Sequence, residues 1–180
     1  PLLTSDENSR DVVKVRTDSF GGIPQGAALV FMVHGTPHYA NAIYASLDYT
    51  FKDLGYHNLF MGTVEAYPSM ESLLRFVRKQ NPSCIHLAPF MIVAGDHARN
   101  DLEGDDADYW KSQFEQAGYP ILCHLKVLGE YEGIRQILLR HIGEAQSRRY
   151  LCICIIINPE VSLLILMSVL PGFGILVLHY

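Results

Sequence analysis

The sequence is short of charge. Asp, Glu, Lys and Arg make up only 18% of its 180 residues, and the net charge is −5. An ordinary soluble domain carries about a quarter. Lys and Arg do not gather into a stripe, and the pI is about 5.9. That excludes the basic footprint of a nucleic-acid binder. Cysteine is scarce too: Cys84, Cys123, Cys152 and Cys154 show neither zinc-knuckle spacing nor a secreted disulfide framework. Cys84 and Cys123 lie in apolar runs, where a free thiol acts as a small buried hydrophobe, and a reducing compartment is expected. No Gly-rich phosphate loop occurs, so no nucleotide is expected. The opening residues, Pro1 to Glu7, lack the basic and apolar regions of a secretory signal, and there is no initiator Met. The expectation is a chain that starts after a cleavage point or is a fragment.

What the sequence has is apolar content, 49%, in regular alternation. Residues 1–26 are polar with weak periodicity and read as a short helix or irregular lead-in. Ala27–Val33 is a continuous apolar run, as a strand buried on both faces requires. Further strands are expected at Leu59–Val64, Cys84–Val93 and Ile121–Leu125. Helices are expected at Asn41–Leu54, Met70–Lys79, Asp106–Ala117 and Glu132–His141. Four β-then-α units predict an α/β fold: a three-layer, doubly wound sheet of about four parallel strands with flanking helices.

The last 30 residues break this pattern. Val161–Leu178 is an 18-residue stretch without charge, which just reaches the length of a membrane-spanning helix, though Pro171, Gly172 and Gly174 interrupt it. Three readings compete: a membrane anchor, a pair of extra buried strands, or a tail unrelated to the fold, such as read-through or frame-shifted sequence. Cys152-Ile153-Cys154 in this region is poor evidence for a soft-metal site.

Ligands of open parallel sheets bind beyond the carboxyl ends of the strands. His34-Gly35-Thr36-Pro37-His38 follows the first strand, Glu65-Ala66-Tyr67-Pro68 the second, and Ala94-Gly95-Asp96-His97 the third. His34, Glu65 and His97 therefore converge on one edge. Two imidazoles and a carboxylate suit Co, Fe, Ni or Zn and leave coordination positions open. Singly, each has a plainer reading as a capping or hydrogen-bonded loop residue. His38 could touch substrate or merely pack, and His86 and His124 read as satisfied strand histidines. The acidic run Asp101, Glu103, Asp105, Asp106 and Asp108 reads first as helix capping.

The stretches Val30–Asn41, Gly62–Pro68 and, most specifically, Pro89-Phe90-Met91-Ile92-Val93-Ala94-Gly95-Asp96-His97-Ala98-Arg99-Asn100-Asp101 resemble the anaerobic sirohydrochlorin cobaltochelatases of cobalamin synthesis. Gly104-Asp105-Asp106, Trp110-Lys111 and Leu128-Gly129-Glu130 extend the match over about residues 27–145. These are class II tetrapyrrole chelatases, built of two similar α/β halves facing a cleft. The resemblance implies that His34 is proton acceptor and metal ligand, with Glu65 and His97 completing the metal site. It implies a divalent metal as substrate, Co2+ with Fe2+ or Ni2+ as alternatives, a tetrapyrrole as the other substrate, and no nucleotide.

The resemblance further implies that residues 1–26 lead in from an N-terminal half not present here, that 27–146 form the C-terminal chelatase domain, and that 147–180 are an apolar tail without counterpart. The third reading of the tail is preferred for that reason. A homo-oligomer is expected, since some smaller relatives work as dimers of single halves. A cytoplasmic location is expected, or a periplasmic one if a signal preceded Pro1, and only the tail 151–178 leaves room for a membrane. The family pattern has Gly where this chain has Val33, so a β-branched side chain is expected to crowd the approach to the metal or the macrocycle.

Overall fold

The computed structural model describes residues 6–155, 163–166 and 176–179, with side chains from 7 to 146 except 96–98. Contacts divide the chain into two units, Pro1–Ile137 and Leu138–Tyr180. In the first, the elements run α1 (Asp6–Asp18), β1 (Ala27–Val33), α2 (Ala42–Asp53), β2 (Leu59–Thr63), α3 (Met70–Gln80), β3 (Cys84–Pro89), α4 (Asp96–Glu103), α5 (Trp110–Gln116) and β4 (Ile121–Cys123), followed by the start of α6 (Glu132–Ile155). The strands form one parallel sheet in the order β2-β1-β3-β4, so the fold is the expected doubly wound α/β sheet.

β1 is one of the two interior strands of this sheet, and every residue in it is buried. Its side chains alternate between two cores. Leu29, Phe31 and Val33 pack with Val12 and Val13 of α1, Leu47 and Phe51 of α2, and Ile134 and Ile137 of α6. Ala28, Val30 and Met32 pack with Leu73 and Val77 of α3, Leu102 of α4, and Trp110 and Phe114 of α5. Each large side chain buried this way contributes about 1.5–3 kcal/mol. The segment 1–26 thus includes a helix seated in the same core as the sheet.

Val33 belongs to the first of these cores and is fully buried. The expectation that it crowds the metal is wrong, because strand alternation turns its side chain inward.

Three boundaries also differ from the expectation. β3 ends at Pro89 rather than Val93. Its last pair is Met32 with Pro89, one residue before β1 ends, and beyond it Ile92 and Val93 are exposed. A helix absent from the reading, α4, then covers Asp96–Glu103. Of its described side chains only Leu102 is a buried hydrophobe, so no apolar period announces it. The next helix begins at Trp110 instead of Asp106.

α6 runs to Ile155 rather than His141. Glu144, Ala145, Gln146, Arg148 and Arg149 favour helix, and the first proline after Glu132 is Pro159. In the second unit, β5 (Leu163–Leu166) and β6 (Leu176–His179) pair antiparallel. Two short strands therefore stand within the apolar tail, and the side chains of Cys152 and Cys154 lie outside the described residues. No helix among the described residues is long and apolar enough to cross a membrane.

Candidate metal site

His34 is the residue immediately after β1, and Glu65 follows β2 by two residues. Parallel pairing locks them side by side: Val64 N–H donates to the Val33 carbonyl at 2.9 Å, and Glu65 N–H to the His34 carbonyl at 3.0 Å. The side chains meet as a result. His34 Nδ1 lies 3.7 Å from a Glu65 carboxylate oxygen, with the two side chains 60% and 59% exposed. That separation is too long for a hydrogen bond. It is within the span of two donors on one ion, which at about 2.1 Å each stand at most about 4.2 Å apart.

The turn beneath them is tightly built. Gly35 sits at φ 87°, and a Cβ there would stand 3.0 Å from Thr63 Cβ and 3.1 Å from Ala66 Cβ. Only glycine adopts this conformation without strain. The buried Thr63 hydroxyl donates to the Pro68 carbonyl at 3.2 Å and accepts from Ala66 N–H at 3.0 Å. Asn41 ties the two loops together: its Oδ1 accepts from Thr36 N–H at 3.1 Å, and its Nδ2 donates to the Tyr67 carbonyl at 2.5 Å. Thr63 and Asn41 escaped the sequence reading because they bond to backbone, which no residue spacing reveals.

His97 stands differently from the expectation. It is not at a strand end: the loop 90–95 intervenes, and His97 is the second residue of α4. Its side chain lies outside the described residues. The loop leading to it is held on one side by Phe90 N–H donating to the Met32 carbonyl at 2.7 Å. On the other side Leu128 and Gly129 donate to the Met91 and Ile92 carbonyls at 2.8 and 3.0 Å. A Cβ on Gly129 would come within 2.6 Å of the Ile92 oxygen, which gives the Leu128-Gly129-Glu130 stretch a physical role.

The remaining candidates have structural partners. His38 Nδ1 accepts from Ala40 N–H at 3.1 Å, so His38 caps the 3-10 turn Tyr39–Asn41. Of the acidic run, Asp105 pairs with Lys111 at 3.3 Å. Among the described residues no group of three His, Cys, Asp or Glu side chains gathers closely enough to hold a metal, so the described part of the candidate site is the His34–Glu65 pair. Cys123 is desolvated, which pushes its thiol up to about 11, with Glu103 adding to the rise; it is a packing residue, not a thiolate ligand.

Comparison with known proteins bears on the family of the chain. The family model described as cobalt chelatase (CbiK) matches residues 1–147. A sirohydrochlorin cobaltochelatase of Salmonella typhimurium is 37% identical over 145 residues, 81% of this chain and 54% of that protein. Sirohydrochlorin cobaltochelatase CbiKC of Nitratidesulfovibrio vulgaris is 30% identical over 148 residues, 82% of this chain and 52% of that protein. The chain therefore spans about half the length of the curated relatives it matches. A CbiX protein of Marinobacter aquaeolei VT8 shares the fold, with a TM-score of 0.53 at 16% identity over 68% of this chain and 98% of the other. By the span of the family match, this chain belongs to the cobalt chelatase (CbiK) family.

Proposed function

We propose that this chain holds the divalent metal substrate of a sirohydrochlorin chelatase at His34, Glu65 and His97, and inserts Co2+ into the macrocycle. The observation that carries the reading is the exposed His34–Glu65 pair at 3.7 Å. The names of the relatives supply the metal and the tetrapyrrole. Metal insertion removes two pyrrole N–H protons while the cation sheds its water. An imidazole is the side chain whose ordinary titration lies near neutrality, so His34 accepts one of the two protons while Glu65 stabilises the charge it gains, and the other proton leaves to solvent. Two imidazoles and one carboxylate hold the ion and leave positions open for the pyrrole nitrogens.

Tyr39, Tyr67 and Val93 stand exposed in the three loops of this edge, an apolar rim for the flat face of a macrocycle. A facing surface, in a homo-oligomer, closes over it. The donors also accept Fe2+ and Ni2+, and affinity alone does not choose between them; competition among the three ions in one metallation assay ranks them.

The test is conversion of sirohydrochlorin and Co2+ to the metallated product, followed by absorbance. His34→Ala is expected to lower the rate on the order of a hundredfold or more. An unchanged rate would sink the assignment. The half-length match to the relatives favours one second reading, a domain that holds metal or tetrapyrrole without turnover. Tight binding by calorimetry with no metallation would decide for it.

A further inference from the structure

A second cluster of chemically able side chains lies away from the metal edge. His86 in β3 and His124 just after β4 meet across the sheet, with His124 Nε2 3.0 Å from His86 Nδ1. They line a pocket of about 620 Å³ with Ser19, Phe20, Lys126 and Tyr131. No acidic side chain lines it.

Behind its wall lies Arg16, fully buried. The guanidinium sits 5.2 Å from the Phe20 ring centre and 4.4 Å from that of Tyr131. None of its three nitrogens has a carboxylate or a well-aligned hydrogen-bond partner among the described residues, and Tyr131 is the polar side chain that interacts with it. A buried cation without a counter-charge is strongly destabilising, and aromatic faces offset only part of the cost. Lys126 adds a second cation, its Nζ also 4.4 Å from the Tyr131 ring centre. The pocket therefore has Lys126 and two imidazoles in its lining, the Arg16 charge behind it, and no acidic side chain.

We propose that this pocket is a second binding site that takes a small organic anion, a carboxylate or phosphate on an apolar body. The oxyanion pairs with Lys126 and takes an imidazole N–H as donor, while Arg16, behind the Phe20 and Tyr131 rings, adds its charge through the wall. Phe20 and Tyr131 pack against the body. The site shares no residue with His34, Glu65 or His97 and does not depend on the metal reading.

The test uses the full chain with benzoate, phenyl phosphate and inorganic phosphate at constant ionic strength, reading the imidazole NMR signals of His86 and His124 and the thermal midpoint. Saturable shifts with benzoate identify a carboxylate site, and with phenyl phosphate a phosphate site. Arg16→Met, which removes an unpaired charge at similar volume, is expected to fold with an equal or higher midpoint. It is expected to bind the anion at least about tenfold more weakly. Lys126→Gln, on the surface, is expected to weaken binding as well, and decides the matter if Arg16→Met does not fold. Linear shifts matching those of chloride, or wild-type affinity in both variants, would overturn the proposal.

Discussion

Gly35 is where backbone conformation and site geometry meet in a single residue. Its positive φ turns the chain directly after His34, and its missing Cβ lets the loop lie against Thr63 and Ala66. Gly35→Ala is expected to cost about 1–3 kcal/mol, from the left-handed backbone and the displaced neighbours together. Thermal unfolding measures that loss, and Co2+ affinity should fall with it because His34 and Glu65 no longer hold their separation. That His34 and Glu65 fall side by side at the ends of neighbouring strands was legible in the sequence, since each follows an apolar run of the kind a buried parallel strand requires. Val33 was misread for the same residue-scale reason: adjacency to the site says nothing about which face a strand residue takes.

At the scale of elements, the four strands and the helices between them were legible because their apolar periods are long and Gly or Pro punctuates them. α4 was not, because eight residues with a single buried Leu carry no period. That gap matters, since it moved His97 from a strand end into the first turn of a helix. The pairing of β3 with β4 was equally hidden: nothing local in the sequence says that His86 and His124 will touch.

That His86–His124 contact has a consequence for stability. Burial holds both imidazoles below the ordinary histidine value, and for His124 the His86 and Arg16 charges add to the effect. Between those depressed values and about 6.5 the unfolded chain binds more protons. Stability should therefore rise with pH across that window, and be lost as pH falls from about 6.5 toward the folded values. The thermal midpoint measured from pH 7 down to pH 5 should drop, and His124→Gln should flatten the drop. A wild-type midpoint that stays level would contradict this.

At the scale of the whole molecule, the described core residues all precede Leu138, and the family match ends at residue 147. We propose on that basis that 147–180 are dispensable for the metal-holding domain. A chain ending at Gln146 should keep the wild-type unfolding midpoint and Co2+ affinity; a loss of either would make the tail part of the working unit. The central claim concerns one ion and three side chains, and X-ray absorption at the cobalt edge of the Co2+-loaded protein addresses it most directly. The cobalt shell is expected to hold two imidazoles and one carboxylate, with one imidazole fewer in His34→Ala and in His97→Ala, and loss of the carboxylate in Glu65→Ala. An identical shell in wild type and all three variants would contradict it.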